Sequence, residues 1–267
     1  MLYYIMQEKQ KNILLLIFFI IIFIWLNYSF LDKFLLEKLV DYEVVKIDRV
    51  IDGDTIVVNE TSYRLLGINS PERGEKYYSE AQEFLEDLVL NRDVGIKYGK
   101  EKQDKYGREL VYVFIGVQNV NLKLVEEGFA NYYFPSGKDE YYNEFRRGWE
   151  NCVEKNINLC EKSEDVCVDC IKLKEFNSAN DFVVFENVCD FDCDLNAWEI
   201  KDEGRKKFLF ENFVLGSRKE VGVVVGENCT NDENILCWVR SDYVWTDTGD
   251  TLFLRDSEGK LVLWGSY

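Results

Sequence analysis

The sequence predicts a membrane-spanning helix followed by two domains, the first mixing helix and strand (α+β), the second an all-β sandwich. Three observations carry this. Residues 13–25 form an unbroken apolar run, residues 43–160 combine β-branched strands with amphipathic helical stretches, and strand signals recur about every ten residues beyond 172, with Asn, Gly and Asp between them. At 267 residues and 47% hydrophobic content the chain has enough apolar sequence for two modest cores.

After a short tail at 1–12, the apolar run extends through residue 31, giving 19 residues interrupted only by Asn27 and Ser29. As a helix it would cover about 28 Å, close to the thickness of a bilayer core. No side of it is polar, which sets it apart from a helix packed on a soluble domain. The run is long and no small-x-small cleavage site follows, so residues 13–31 read as an uncleaved signal anchor, with a linker at 32–42.

Orientation follows from the cysteines. Lys9 and Lys11 precede the run while Lys33, Lys38, Lys46 and Arg49 follow it, so basic residues do not favour a cytoplasmic amino terminus. Cys152, Cys160, Cys167, Cys170, Cys189, Cys193, Cys229 and Cys237 all lie beyond residue 150. An even, dense set in one half of an exported chain reads as disulfides, which places the carboxyl-terminal side outside the cell. The alternative is a four-thiolate zinc site at Cys152, Cys160, Cys167 and Cys170, in which one pair lacks the usual spacing. The sequence does not decide the connectivity.

Charge and composition narrow the chemistry. Residues 42–150 carry 21 acidic and 15 basic side chains, net −6, and residues 151–267 carry 24 and 13, net −11. Neither half is a basic module, so a polyanion must be met by a few placed arginines or a bound cation. There is no histidine. Ser-His-Asp triads, Cys-His pairs and histidine-ligated zinc are excluded, leaving carboxylate, arginine, hydroxyl and hard-cation chemistry.

Three motifs supply those parts. In "VIDGDTIVV" (50–58), Asp52-Gly53 signals a turn and residues 55–58 a strand that runs to a polar turn at 59–62. In "YRLLGINSPE" (63–72) the next strand carries Arg64 and ends at Asn69, Ser70 and Glu72. A hairpin closed by that turn sets Val57 opposite Arg64 and Asp54 opposite Gly67, gathering Asp54, Asn69 and Ser70 at its far end. Oxygen ligands of this kind suit a hard cation such as Ca²⁺. Arg64, roughly 10 Å down the strand, can reach a phosphate held there, and Glu72 is free to point into the same space. In "DKYGRELVYVF" (104–114) a turn at Tyr106-Gly107 leads to Arg108 at a strand end. Singly these are a turn, a partner for Asp104 and a loop acid. Jointly, two arginines, a general base and a divalent cation are what phosphodiester hydrolysis requires.

With "VNLKLVEEGFA" (120–130), these motifs occur in the order and spacing of the staphylococcal nuclease (thermonuclease) family, which residues 43–160 resemble. The resemblance implies a five-stranded OB-fold barrel with three helices that hydrolyses DNA and RNA with Ca²⁺. The helices fall at 79–91, with Ser79 as N-cap and Phe84, Leu85 and Leu88 as apolar stripe, at 120–130 and at 138–159. Carried over by motif, Asp54 is the metal carboxylate, Ser70 a backbone-carbonyl ligand, Glu72 the catalytic base, and Arg64 and Arg108 the phosphate clamp. Asn69 stands where a second metal aspartate is expected, which lowers the expected cation affinity and makes Mg²⁺ or another divalent ion the alternative. Tyr132, Tyr133 and Phe134 are loose counterparts of the family's tyrosines near the substrate base, with rim packing as the other reading; Tyr106 is grouped with Tyr132 and Tyr133 as substrate-binding.

Beyond a Cys-rich linker at 161–170, residues 171–267 resemble the lamin-tail domain through "EFNSANDFVVFEN", "DLNAWEIKD" and "TGDTLFLRDSEGKLV". That resemblance implies an immunoglobulin-like sandwich with no catalytic set, either a tethering module for an unknown ligand or a stabilising appendage. The expectation is a membrane-anchored extracellular nuclease of little sequence specificity; the alternative is a non-catalytic envelope or nucleic-acid binding protein on the same fold.

Overall fold

A computed structural model of the chain describes residues 2–27 and 42–267. The first segment is a helix, α1 (Leu2–Leu26), along which Ile13 to Ile21 and Phe23 to Trp25 are exposed. Among the described residues no helix is long and apolar enough to cross a membrane, so the predicted span at 13–31 is not supported there. Its last residues, 28–31, and most of the predicted linker lie outside the described residues.

The nuclease region runs β1 (Glu43–Lys46), β2 (Arg49–Asp52), β3 (Thr55–Val58), β4 (Thr61–Leu65), β5 (Gly67–Asn69), α2 (Tyr78–Val89), β6 (Asp93–Gln103), β7 (Glu109–Ile115), β8 (Gln118–Asn119), α3 (Val120–Glu126), β9 (Asn131–Tyr133) and α4 (Tyr142–Lys155). It forms an OB-like half-barrel. Seven strands share one sheet, in the order β1-β6-β7-β4-β3-β2 with β8 beside β7, while β5 pairs with β9 separately. β1 and β2 are separated by Ile47 and Asp48 alone yet lie at opposite ends of that order, so one bent stretch reaches both edges. Counting it once leaves the five strands expected, with β8 as a short addition.

The register of the first hairpin differs from expectation. Asn59 and Glu60 both take left-handed φ, 46° and 66°, and make a two-residue turn in place of the four-residue turn expected at 59–62. The pairing moves by two residues: Thr55 faces Arg64 and Val57 faces Ser62, and the Leu65 amide donates to the Asp54 carbonyl. Asp54 and Arg64 are thereby brought together rather than held three residues apart.

Helix limits are also corrected. α2 starts at Tyr78 after Tyr77 in the left-handed region with no side-chain cap, so Ser79 is not the N-cap; Ala81, Leu85 and Val89 are its buried residues, with Phe84 and Leu88 half-buried at its edge. α3 is capped by the Asn119 side chain, which accepts from the Leu122 amide, and it stops four residues before 130, ahead of Gly128 at φ 68°. α4 ends at a left-handed Asn156 and is followed by a 3-10 turn at Asn158–Cys160. Ile56, Leu65, Ile68, Leu85, Phe145 and Trp149 are fully enclosed between sheet and helices.

The carboxyl-terminal region is all β: β10 (Ile171–Asn177), β11 (Phe182–Asn187), β12 (Cys193–Asp194), β13 (Glu199–Lys201), β14 (Lys207–Leu209), β15 (Val214–Leu215), β16 (Glu220–Val225), β17 (Ile235–Trp238), β18 (Thr251–Arg255) and β19 (Leu261–Ser266). Two four-stranded sheets, β10-β11-β16-β17 and β14-β13-β18-β19, enclose one core that includes Val183, Phe185, Val221, Ile200 and Leu254. β12 and β15 form a small ribbon. The eight cysteines close as Cys152–Cys160, Cys167–Cys193, Cys170–Cys189 and Cys229–Cys237, which leaves no zinc site among them.

The two regions share packing. Phe253 and Leu261 of the second region belong to the core of the first, the Phe253 ring lying 5.0 Å from that of Trp149. Arg255 donates to the Leu159 carbonyl at 2.7 Å, and Thr251 Oγ1 lies 2.7 Å from the Tyr132 hydroxyl.

Candidate active site

Asp54 enters β3 from the tight Asp52-Gly53 turn. A Cβ at position 53 would lie 2.7 Å from Ser70 Cβ and 2.8 Å from Ala81 Cβ, so only glycine lets this turn press against both β5's exit and α2. The Asp54 carboxylate is consequently enclosed, at 3% exposure. Its Oδ2 accepts from the Ser70 amide (2.9 Å) and hydroxyl (3.0 Å) and pairs with Arg64 Nη1 (3.1 Å); its Oδ1 accepts from Thr55 Oγ1 (3.1 Å). Arg64 is held in turn: Nη1 donates to the Leu65 carbonyl (2.9 Å) and Nη2 to that of Ile68 (2.8 Å). Burial of this kind requires that each charge be matched, and here each is.

Asp52, which the motif reading passed over, is the second carboxylate of the cluster. Its Oδ1 accepts from the Asp54 amide at 3.1 Å, and burial, then the Asp54 charge, push its carboxyl up from the usual range. The signal was present in "DGD", where both acids flank the glycine.

Ser70, bonded to Asp54, and its neighbour Asn69 are buried, exposed by 3% and 1%. The Asn69 amide nitrogen donates to the Gly204 carbonyl of the second region at 2.7 Å. The donor types at this end of the hairpin, the Asp52 and Asp54 carboxylates, the Asn69 side-chain oxygen and the Ser70 carbonyl, are all oxygen, the chemistry a hard divalent cation takes. Among the described residues no group of three or more His, Cys, Asp or Glu is placed to hold a metal ion, so the set has less charge than a multi-carboxylate site.

Glu72 is half-buried, three residues beyond the end of β5. Its amide donates to Glu75 Oε2 at 2.9 Å, and its carboxylate, with 42% of the side chain exposed, meets Arg205 Nε at 2.5 Å. Glu75 pairs with Lys201 (3.2 Å) and Lys207 (2.5 Å); burial pushes its carboxyl up, but these two cations outweigh that and hold it below the usual range. Arg205, Lys201 and Lys207 were not singled out from the sequence.

Arg108 stands one residue before β7, the strand whose Leu110 pairs with Arg64. Its Nε meets Asp104 Oδ2 at 2.7 Å, and Tyr106, 72% exposed, lies with its ring 5.7 Å from the guanidinium. Tyr132 does not face a substrate: it is fully buried, edge-on to Trp149 and Phe253, because β9 presents it to the shared core. Tyr133 is half-buried, its hydroxyl pushed up by burial and by Asp202, and Phe134 is buried.

A half-barrel that holds a buried Asp–Arg pair and carries a partly exposed glutamate past β5 and a second arginine at the start of β7 has the parts of a phosphodiester-cleaving enzyme. Comparison with known proteins agrees. The staphylococcal nuclease homologue family model matches residues 62–162. The thermonuclease of Staphylococcus intermedius is 32% identical over 126 residues, covering 43% of this chain and 75% of that protein; the thermonuclease of Staphylococcus hyicus is 34% identical over 127 residues, with the same shares. The SPbeta prophage-derived endonuclease YokF of Bacillus subtilis is 29% identical over 139 residues, 48% of this chain and 46% of that protein. The protein is a nuclease, and it belongs to the staphylococcal nuclease family.

Proposed function

We propose that this chain is a membrane-anchored extracellular nuclease that cuts DNA and RNA with little sequence specificity and depends on Ca²⁺. The observation that carries the catalytic part is the enclosed Asp54–Arg64 pair, with Glu72 following two residues after Ser70, which itself bonds the Asp54 carboxylate. Glu72 takes the proton of the attacking water. Arg64 and Arg108 bind the phosphoryl oxygens and stabilise the charge that builds on them. Asp54, the Ser70 carbonyl and the Asn69 oxygen would hold the cation, which when bound supplies positive charge beside the phosphate. Mg²⁺ is the alternative ion, since Asn69 replaces a charged ligand. Non-specific cutting accords with a site built on phosphate contacts, which carry no sequence information.

The anchor rests on the apolar run of the sequence at 13–31, and four disulfides support an oxidising, extracellular location for the rest. The all-β region is read as a lamin-tail-like module that binds or tethers an as yet undefined ligand.

The test is digestion of plasmid and single-stranded RNA by the full chain in Ca²⁺, Mg²⁺ or EDTA, with Glu72→Gln as the control. Turnover is expected to fall by about 10²-fold or more in the variant and to vanish in EDTA. A folded Glu72→Gln protein that cuts at the parent rate would remove Glu72 from the mechanism. Protease shaving of intact cells checks the location: residues beyond 42 should be cleaved without lysis.

A further inference from the structure

The turn at 202–206, in the second region, rests directly on the nuclease site. Asn69 on β5 and Asn131 on β9 face each other across the strand pair. Both donate to this turn, Asn69 to the Gly204 carbonyl at 2.7 Å and Asn131 to the Glu203 carbonyl at 2.8 Å. The Phe134 amide adds a bond to Glu203 Oε1 at 3.2 Å. The turn is closed on itself by the Lys206 amide to Asp202 Oδ1 (2.8 Å) and the Asp202 amide to the Lys206 carbonyl (3.1 Å). At its two flanks Lys201 and Lys207 are both drawn to Glu75 of the nuclease. From this fixed base Arg205 reaches Glu72 Oε1.

Two readings compete: a lid that swings away before catalysis, or a permanent wall. The packing favours the wall. Phe253 is embedded against Trp149, Thr251 meets the buried Tyr132 hydroxyl, and Arg255 is spent on the Leu159 carbonyl. Withdrawing the turn would open this shared core and strand buried polar groups. The Glu72–Arg205 pair itself, with side chains 42% and 57% exposed, adds little to stability. What it does is hold one carboxylate oxygen in place while Oε2 remains to accept a proton.

We infer that Arg205 is a positioning residue of the nuclease site, supplied by the all-β region, which orients the Glu72 carboxylate toward the attacking water. The inference rests on the reading of Glu72 as the base. It gives the second region a part in catalysis that its own acidic surface, net −11 over residues 151–267 with 24 acidic against 13 basic groups, does not suggest.

The experiment measures kcat and KM of the full chain on DNA for Arg205→Ala, Arg205→Lys, Glu72→Gln and the Glu72→Gln/Arg205→Ala double variant, each with its melting curve. Arg205→Ala is expected to lower kcat roughly tenfold with KM within about twofold and an unchanged melting curve, a loss confined to the chemical step. Arg205→Lys should recover part of it, since an ammonium still pairs with the carboxylate. In the Glu72→Gln background, removing Arg205 should cost less than about twofold more, because residues that act as a unit are not additive. A parent or faster rate in Arg205→Ala would overturn the inference and mark the pair as idle or as a brake. So would a loss that multiplies in full with that of Glu72→Gln. Parent activity in Glu72→Gln would instead remove the base, and the inference with it, a failure told apart by that single variant.

Discussion

The Asn69 side-chain amide donates to the Gly204 carbonyl at 2.7 Å across 135 residues of sequence. An amide can make this bond and a carboxylate cannot. The residue that departs from the expected metal aspartate is therefore also the one that ties the second region to the active site. Asn69→Asp would set an anion against a carbonyl oxygen at a position 1% exposed. The expected loss is about 1–3 kcal/mol, as for a buried group left without a partner. Urea melting of the full chain measures it. Added Ca²⁺ should stabilise the variant more than the parent, because the new carboxylate is a charged ligand for a hard cation. A stability equal to the parent's without Ca²⁺ would show that the Gly204 contact carries no weight.

The contact between the regions also encloses acids. Burial, then Asp250, push the Glu203 carboxyl up to about 8; burial, then Asp202, push Asp250 up to about 7; burial raises Asp202 to about 6. In the unfolded chain such groups lose their protons near 4. Between about pH 4 and 8 the folded protein keeps protons that the unfolded chain has released, so this contribution is full below pH 4 and is lost as pH rises through 8. Each group that remains protonated when its unfolded form is not costs roughly 1.4 kcal/mol per pH unit. The melting temperature should therefore fall from pH 6 to 8.5, and Glu203→Gln, which cannot ionise, should flatten the slope. Parallel slopes for the two proteins would take Glu203 out of the pH response.

The nuclease half was legible because its chemistry is compact in sequence. Asp54, Arg64, Ser70 and Glu72 fall within 19 residues, and Gly53, Arg64 and Ser70 act on neighbours across one hairpin. The hairpin register was not legible. Asn59-Glu60 lacks the glycine that marks a two-residue turn, yet both residues adopt left-handed φ, and the two-residue slip changed which side chains meet. Tyr132 was misplaced for a related reason: a tyrosine near a site looks the same in sequence whether its strand turns it outward or, as here, into a core completed by Phe253. Arg205 had no local signal at all. "KDEGRKK" at 201–207 is a polar turn in sequence, and its position on Glu72 comes from docking alone.

Arg108 faces two partners, the Asp104 carboxylate at 2.7 Å now and a substrate phosphate in the proposed mechanism. The Asp104 contact fixes the guanidinium through Nε and leaves its terminal nitrogens for the phosphate. Arg108→Lys keeps the charge but loses the planar fork, so kcat/KM should fall by about tenfold or more with little change in melting. Full activity in the lysine variant would mean that Arg108 serves as a bare charge.

Phe253 decides whether the two regions unfold as one. Its ring packs 5.0 Å from Trp149 and 6.5 Å from Tyr132, so a side chain from β18 completes the core of the nuclease half. Phe253→Ala should cost about 3–5 kcal/mol, the range for emptying a buried aromatic site. Among the described residues every α-helix ends before residue 161, whereas Trp198, Trp238, Trp245 and Trp264 lie in the all-β region. Beyond the share of α1, the change in far-ultraviolet ellipticity at the helical band therefore follows the first region, and tryptophan fluorescence mainly the second. In the parent the two signals should share one midpoint, because neither region can lose its structure without exposing the joint core. In Phe253→Ala both should move to lower temperature together, and nuclease activity should fall along the same curve as Glu72 loses its wall. Two separated midpoints in the parent would show that the regions fold independently, and the wall formed by residues 202–206 would then be free to open.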